Sequence, residues 1–211
     1  MIHPITRAFF LAAILLACPT CTTTLSTNLN DTSASTTDTS SSNDTGVALS
    51  CEAYCTTIMA NCTGDNQQYG GKAQCLASCK AFPVGAASDT STNTLGCRTY
   101  HAGAASGDAK LHCPHAGPSG QNACGSPCEG YCQLAMMYCT EANKAKVYDS
   151  NTDCMTTCAK AKTDIPYTVK TTDGNEAACL IYHAQEASVA PADHCIGDLA
   201  KKDGVTSVTC K

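Results

Sequence analysis

Cys51-Glu52-Ala53-Tyr54-Cys55 returns 77 residues later as Cys128-Glu129-Gly130-Tyr131-Cys132. The cysteines that follow keep one order in both places. After the first stretch come Cys62, Cys75, Cys79, Cys97, Cys113 and Cys124; after the second come Cys139, Cys154, Cys158, Cys179, Cys195 and Cys210. Each set reads C-x3-C, x6-C, a gap of 12 or 14 residues, a second C-x3-C, a longer gap, C-x15-C and a final cysteine. Self-similarity of this kind marks a repeated structural unit. Other residues hold the register: Met59 with Met136, Tyr69 with Tyr148, Tyr100-His101-Ala102 with Tyr182-His183-Ala184, and His112 with His194. Residues 51–124 and 128–211 therefore read as two eight-cysteine modules joined by a Gly-Ser-Pro hinge at 125–127.

The cysteines carry unusual weight because the ordinary core is thin. From Cys51 to Lys211 there are 17 Leu, Ile, Val and Phe. That is about 11% of the segment, where less than about 20% usually marks a chain that stays unfolded. So little apolar area cannot offset chain entropy by itself. Each disulfide contributes about 2–4 kcal/mol by restricting the unfolded ensemble, so a full set of bridges could stand in for the missing core. The net charge of -5 offers no basic face for nucleic acid.

The spacing predicts a mainly α-helical fold. At 100° per residue, Cys51, Cys55 and Cys62 share one helix face, and Cys75 and Cys79 lie one turn apart on a second helix. Two C-x3-C helices joined by a turn resemble the disulfide-stapled helical hairpins of several small-domain families. The resemblance implies Cys51–Cys79 with Cys55–Cys75, and Cys128–Cys158 with Cys132–Cys154. Eight cysteines allow 105 pairings. For the others we expect a third helix whose Cys97 or Cys179 staples to Cys62 or Cys139. Cys113–Cys124 and Cys195–Cys210 would then close tail loops. Each module is thus expected to be a stapled hairpin plus a third helix and loops.

The first fifty residues read as an address. Arg7 precedes the apolar run Ala8 to Ala17, which has signal-peptide length and is too short to span a bilayer. Leu15-Leu16-Ala17-Cys18 resembles a bacterial lipobox. That resemblance implies cleavage after residue 17 and lipid on Cys18, with membrane attachment through it. Residues 18–50 are read as a tether, since 17 of residues 19–50 are Ser or Thr and none is Lys or Arg. Cys21 is left over as a lone thiol in that tether. Leader, tether and paired cysteine modules together resemble the Cys-rich surface lipoproteins of myxobacterial-type Gram-negative bacteria, which implies a place at the outer membrane or cell surface.

Two readings of function follow. The first is an envelope-anchored structural or binding module for adhesion or interaction, with an unidentified protein or envelope partner and no cofactor. The second is a metal- or haem-binding protein that uses His101 with His112 and His183 with His194, because neutral imidazole ligates Zn, Cu and Fe. His115, three residues after His112, has no counterpart in the second copy and is given less weight. Zinc on the C-x3-C pairs is disfavoured, since exported thiols oxidise. No G-x-S-x-G, P-loop, H-E-x-x-H or dinucleotide fingerprint is present, and no matched carboxylate pair suits acid–base work. Catalysis is not expected, and an enzyme of unseen mechanism is the third and last alternative.

Overall fold

Ser50 opens the first helix by accepting a hydrogen bond from the Ala53 amide, and the same device recurs along the chain. Thr94, Asp108, Ser126 and Ser150 each cap a later helix through a side-chain oxygen. The computed structural model describes residues 48–143, 146–174, 176–195 and 210. The leader, the lipidation site Cys18, Cys21 and nearly all of the tether lie outside those residues. The described residues belong to one unit, Asp44–Lys211.

Eight α-helices lie among the described residues: α1 (Cys51–Asn61), α2 (Lys72–Cys79), α3 (Leu95–Ala104), α4 (Ala109–Ala116), α5 (Pro127–Tyr138), α6 (Asn151–Cys158), α7 (Ala177–Glu186) and α8 (Pro191–His194). The architecture is mainly helical, as the spacing predicts. Each half holds four helices where three were expected. The additional ones, α4 and α8, occupy stretches read as tail loops.

Those helices change the covalent map. Cys51–Cys79 with Cys55–Cys75, and Cys128–Cys158 with Cys132–Cys154, are bonded as the hairpin resemblance implies. The other four bridges differ from the expected ones. Cys62 joins Cys113 and Cys97 joins Cys124 in the first half; Cys139 joins Cys195 and Cys179 joins Cys210 in the second. The reason is axial position. Asn61 Nδ2 donates to Ala102 O, so the end of α1 meets the C-terminal part of α3. Cys97 lies five residues nearer the start of α3, about 7.5 Å along its axis, and is out of reach of Cys62. Helix α4 packs against α3 and brings Cys113 to Cys62 instead, with their Cα atoms 5.6 Å apart.

Sulfur fills much of the interior. The first core cluster combines Cys55, Cys62, Cys75, Cys79 and Cys113 with Tyr54, Ile58, Tyr69, Phe82 and Leu95. The second combines eight buried cysteines with Tyr131, Leu134, Tyr148, Tyr167, Leu180 and Ile181. A tyrosine pair lies in each. Tyr54 and Tyr69 meet edge to face with hydroxyls 2.7 Å apart, and Tyr131 and Tyr148 repeat the geometry at 2.7 Å. Tyr54 OH donates to Ala116 O, so Tyr69 must donate to Tyr54. Burial raises the pKa of all four phenols, that of Tyr148 to about 12.

Residues 125–127, read as a hinge, run directly into α5. Ser126 and Glu129 form a reciprocal capping box and Pro127 opens the helix. Gly130 in α5 lies so close to Pro118 that an added Cβ would sit 2.0 Å from its carbonyl oxygen. Polar bonds join the halves elsewhere: Gln68 Nε2 to Tyr167 O at 3.1 Å, Gln74 Nε2 to Glu186 Oε1 at 2.8 Å, and the Val169 amide to Gln67 O at 3.1 Å.

Candidate functional site

His101 lies on α3, one turn beyond the bridged Cys97, and is buried. His112 and His115 lie on α4, three residues apart and hence on one face. Packing of α4 on α3 turns that face toward His101. The Nδ1 atoms of His101 and His112 are 2.9 Å apart, and the ring centroids of His101 and His115 are 4.9 Å apart. One ring nitrogen from each of the three lies within 4.8 Å of the others. His115 Nδ1 is buried and has no hydrogen-bond partner.

The second half repeats part of this. His183 Nδ1 and His194 Nδ1 are 3.3 Å apart, and the rings are tilted by 33° against 31° in the first pair. The structure thus brings together both histidine pairs that the sequence singled out. A carbonyl orients the buried member each time. His101 Nε2 faces Thr90 O at 3.1 Å and His183 Nε2 faces Thr172 O at 3.2 Å, each carbonyl eleven residues upstream. Only an N–H can bond a carbonyl, so in both rings Nε2 carries the proton and Nδ1 presents a lone pair. Burial lowers the pKa of His101, with the neighbouring His112 adding to the effect. Burial also lowers that of His115, helped by His101 and His112.

In each pair the two Nδ1 atoms are hydrogen-bonded, so His112 donates to His101 and His194 to His183. Axial ligands across a haem iron need about 4 Å between nitrogens, twice a bond of roughly 2.0 Å. Separations of 2.9 and 3.3 Å suit adjacent positions on one small ion. Cys97 and Cys124 approach His101, and Cys179 and Cys210 approach His183, but these sulfurs are bonded to each other and offer no thiolate.

The structure also places His115, which has no counterpart in the second half, beside His101 and His112. Its signal was the i, i+3 spacing from His112, which needs no second copy to be read. Arg98 carries no signal in the cysteine or histidine pattern. It is fully buried, its guanidinium 4.0 Å over the Phe82 ring, with Nη1 bonded to Asn93 Oδ1 at 2.9 Å. Of the repeated tyrosines, Tyr54 and Tyr131 are buried in the cores, whereas Tyr100 is 51% exposed beside His101.

The profile of the BfoA family C-terminal domain matches residues 14–129 of this chain, more than half of its length. The chain belongs to the BfoA family. The family match ends at Glu129, in the first turn of α5, and so takes in the whole first half with its histidine cluster. Among relatives, the Aurasperone B biosynthesis cluster protein A of Aspergillus niger is 42% identical over 71 residues, 33% of this chain and 23% of that protein. The Bifonsecin B biosynthesis cluster protein A of Aspergillus brasiliensis is 41% identical over 71 residues, 33% of this chain and 24% of that protein. The chain thus matches about a quarter of the length of these curated relatives. No solved structure matches it significantly. BfoA membership, with fungal relatives, overturns the resemblance to myxobacterial-type surface lipoproteins. That resemblance rested on the lipobox leader, the Ser/Thr tether and the paired cysteine modules, which together do not outweigh a family match over residues 14–129 and 71 aligned residues.

Proposed function

We propose that this chain is exported and works in an oxidising compartment as a disulfide-locked structural or binding module with no reaction of its own. The observation that carries the proposal is the closure of all sixteen cysteines between Cys51 and Cys210 into eight bridges. Such a set forms and persists outside the reducing cytosol. The apolar run at residues 8–17 supports the same address. The same order of bridges in each half supports two copies of one folding unit.

A depression of about 230 Å³ is lined by Asn93, Glu129, Gln133, Asn151 and Met155. The buried polar side chains Gln68, Gln74 and Arg98 tie backbone segments and the two halves together. The Aspergillus relatives are named for the biosynthesis clusters of aurasperone B and bifonsecin B. A supporting part in the making of such a metabolite is the corresponding proposal for this chain.

Intact mass of the secreted protein tests the reading. We expect 16 hydrogens fewer than the reduced chain across residues 51–211. Free thiols there, or recovery of the protein only from the cytosol, would defeat it. The same spectrum gives the mature N-terminus, and so separates lipid on Cys18 from simple cleavage of the leader.

A further inference from the structure

We propose that His101, His112 and His115 form a binding site for one divalent first-row transition ion, Zn(II) or Cu(II), in the first half of the molecule. The inference goes beyond the scaffold reading and does not depend on it.

Three observations converge. First, the three imidazoles bring one nitrogen each within 4.8 Å of the others. A tetrahedral ion with bonds of about 2.05 Å separates adjacent nitrogens by about 3.3 Å, so a few tenths of an ångström would open the 2.9 Å pair to that spacing. The matched pair in the second half already stands at 3.3 Å. Secondly, His115 Nδ1 is buried and unpartnered, a costly arrangement for a ring nitrogen unless something else occupies its lone pair. Thirdly, the His101 Nε2–H bond to Thr90 O is the outer contact that ligating histidines usually make, and it points the Nδ1 lone pair inward. Three neutral nitrogen ligands with a fourth position left for water is a common arrangement for zinc, and imidazole suits copper equally.

Among the described residues, the second half repeats the His183–His194 pair of this arrangement. In the register that pairs His112-Cys113 with His194-Cys195, the place of His115 falls to Gly197. The sequence thus predicts one strong site per chain and not one per half.

The test uses the full, oxidised, untagged chain, titrated separately with ZnCl2 and CuCl2 and passed over a desalting column. We expect one equivalent retained, and about ten-fold or greater weakening in His115→Ala. His194→Ala should still retain one equivalent. Copper electron paramagnetic resonance of the unaltered chain should show three coupled nitrogens, a readout that needs no variant to fold. Retention of no metal, two equivalents per chain, unweakened binding by His115→Ala, or a copper signal with fewer than three nitrogens would each overturn the proposal.

Discussion

At the position just after the bridged cysteine of the third helix, the first half buries Arg98 and the second buries Leu180. Arg98 rests on Phe82 and bonds Asn93 Oδ1, and it is pulled below the usual guanidinium pKa by burial. Leu180 sits in an apolar cluster, where Ala161 takes the register place of Phe82. A cation and an aliphatic side chain thus occupy equivalent places in two halves with one bridge order. The lesson is about what specifies the frame. Where covalent links fix which helices touch, the interior can diverge to an extent that a core held by packing alone would not tolerate. The two halves differ in charge as well, with four basic and four acidic residues in 51–124 and eight and eleven in 128–211.

Exchange of the two residues is the sharpest way to break this comparison. Leu180→Arg buries a guanidinium where Ala161 stands in the register place of Phe82, and should cost about 3–5 kcal/mol of stability. The reverse change, Arg98→Leu, strands the Asn93 and Pro118 acceptors and should cost about 1–3 kcal/mol. Equal losses by denaturant unfolding would show that the halves are interchangeable at this position.

A smaller effect is expected where the halves join. Ala53 and Gly130 are register partners, yet Gly130 faces the Pro118 carbonyl at a distance that excludes a Cβ. Gly130→Ala should therefore force a backbone shift and cost about 1–3 kcal/mol. Ala53→Gly should cost only the roughly 1 kcal/mol of helix propensity. A harmless Gly130→Ala would mean that 125–127 gives way as the hinge read from the sequence.

The smallest effect concerns pH. His101 and His115 have folded pKa values below the ordinary histidine value, because burial opposes their charge. The unfolded chain then binds protons more readily than the native one as pH falls below about 6.5. Their contribution to stability is full above that value and is lost on acidification toward the folded pKa values. The midpoint of thermal unfolding should drop by a few degrees between pH 7 and pH 5.5, and His115→Ala should reduce the drop. A midpoint that rises over this interval would contradict the burial of these rings.

How much of this could be read in the sequence follows the physics of each feature. The C-x3-C hairpins were legible because a bridge between two helices requires cysteines on one face of each, and i, i+4 spacing declares that face. Helix α4 was not, since Pro114 lies inside it and glycines flank it at 107 and 117, so the stretch reads as loop. A loop over 109–116 gives Cys113 no reason to approach Cys62, so the expected partners of Cys62 and Cys113 differ from the bridge observed. The histidine pairs were visible through duplication. His115 was discounted for the same reason, since a comparison of two copies is blind to what one copy holds alone. Arg98 runs against the expectation that arginine stays at the surface, and only the fold shows Phe82 beneath it.

The claim beneath all of this is that sulfur bridges replace an apolar core. Far-UV circular dichroism of the full chain, melted oxidised and again after complete reduction, tests it most directly. The account predicts a cooperative, high-temperature transition for the oxidised protein, and loss of both helical signal and transition after reduction. A reduced chain that keeps its helices and melts at the same temperature would contradict it.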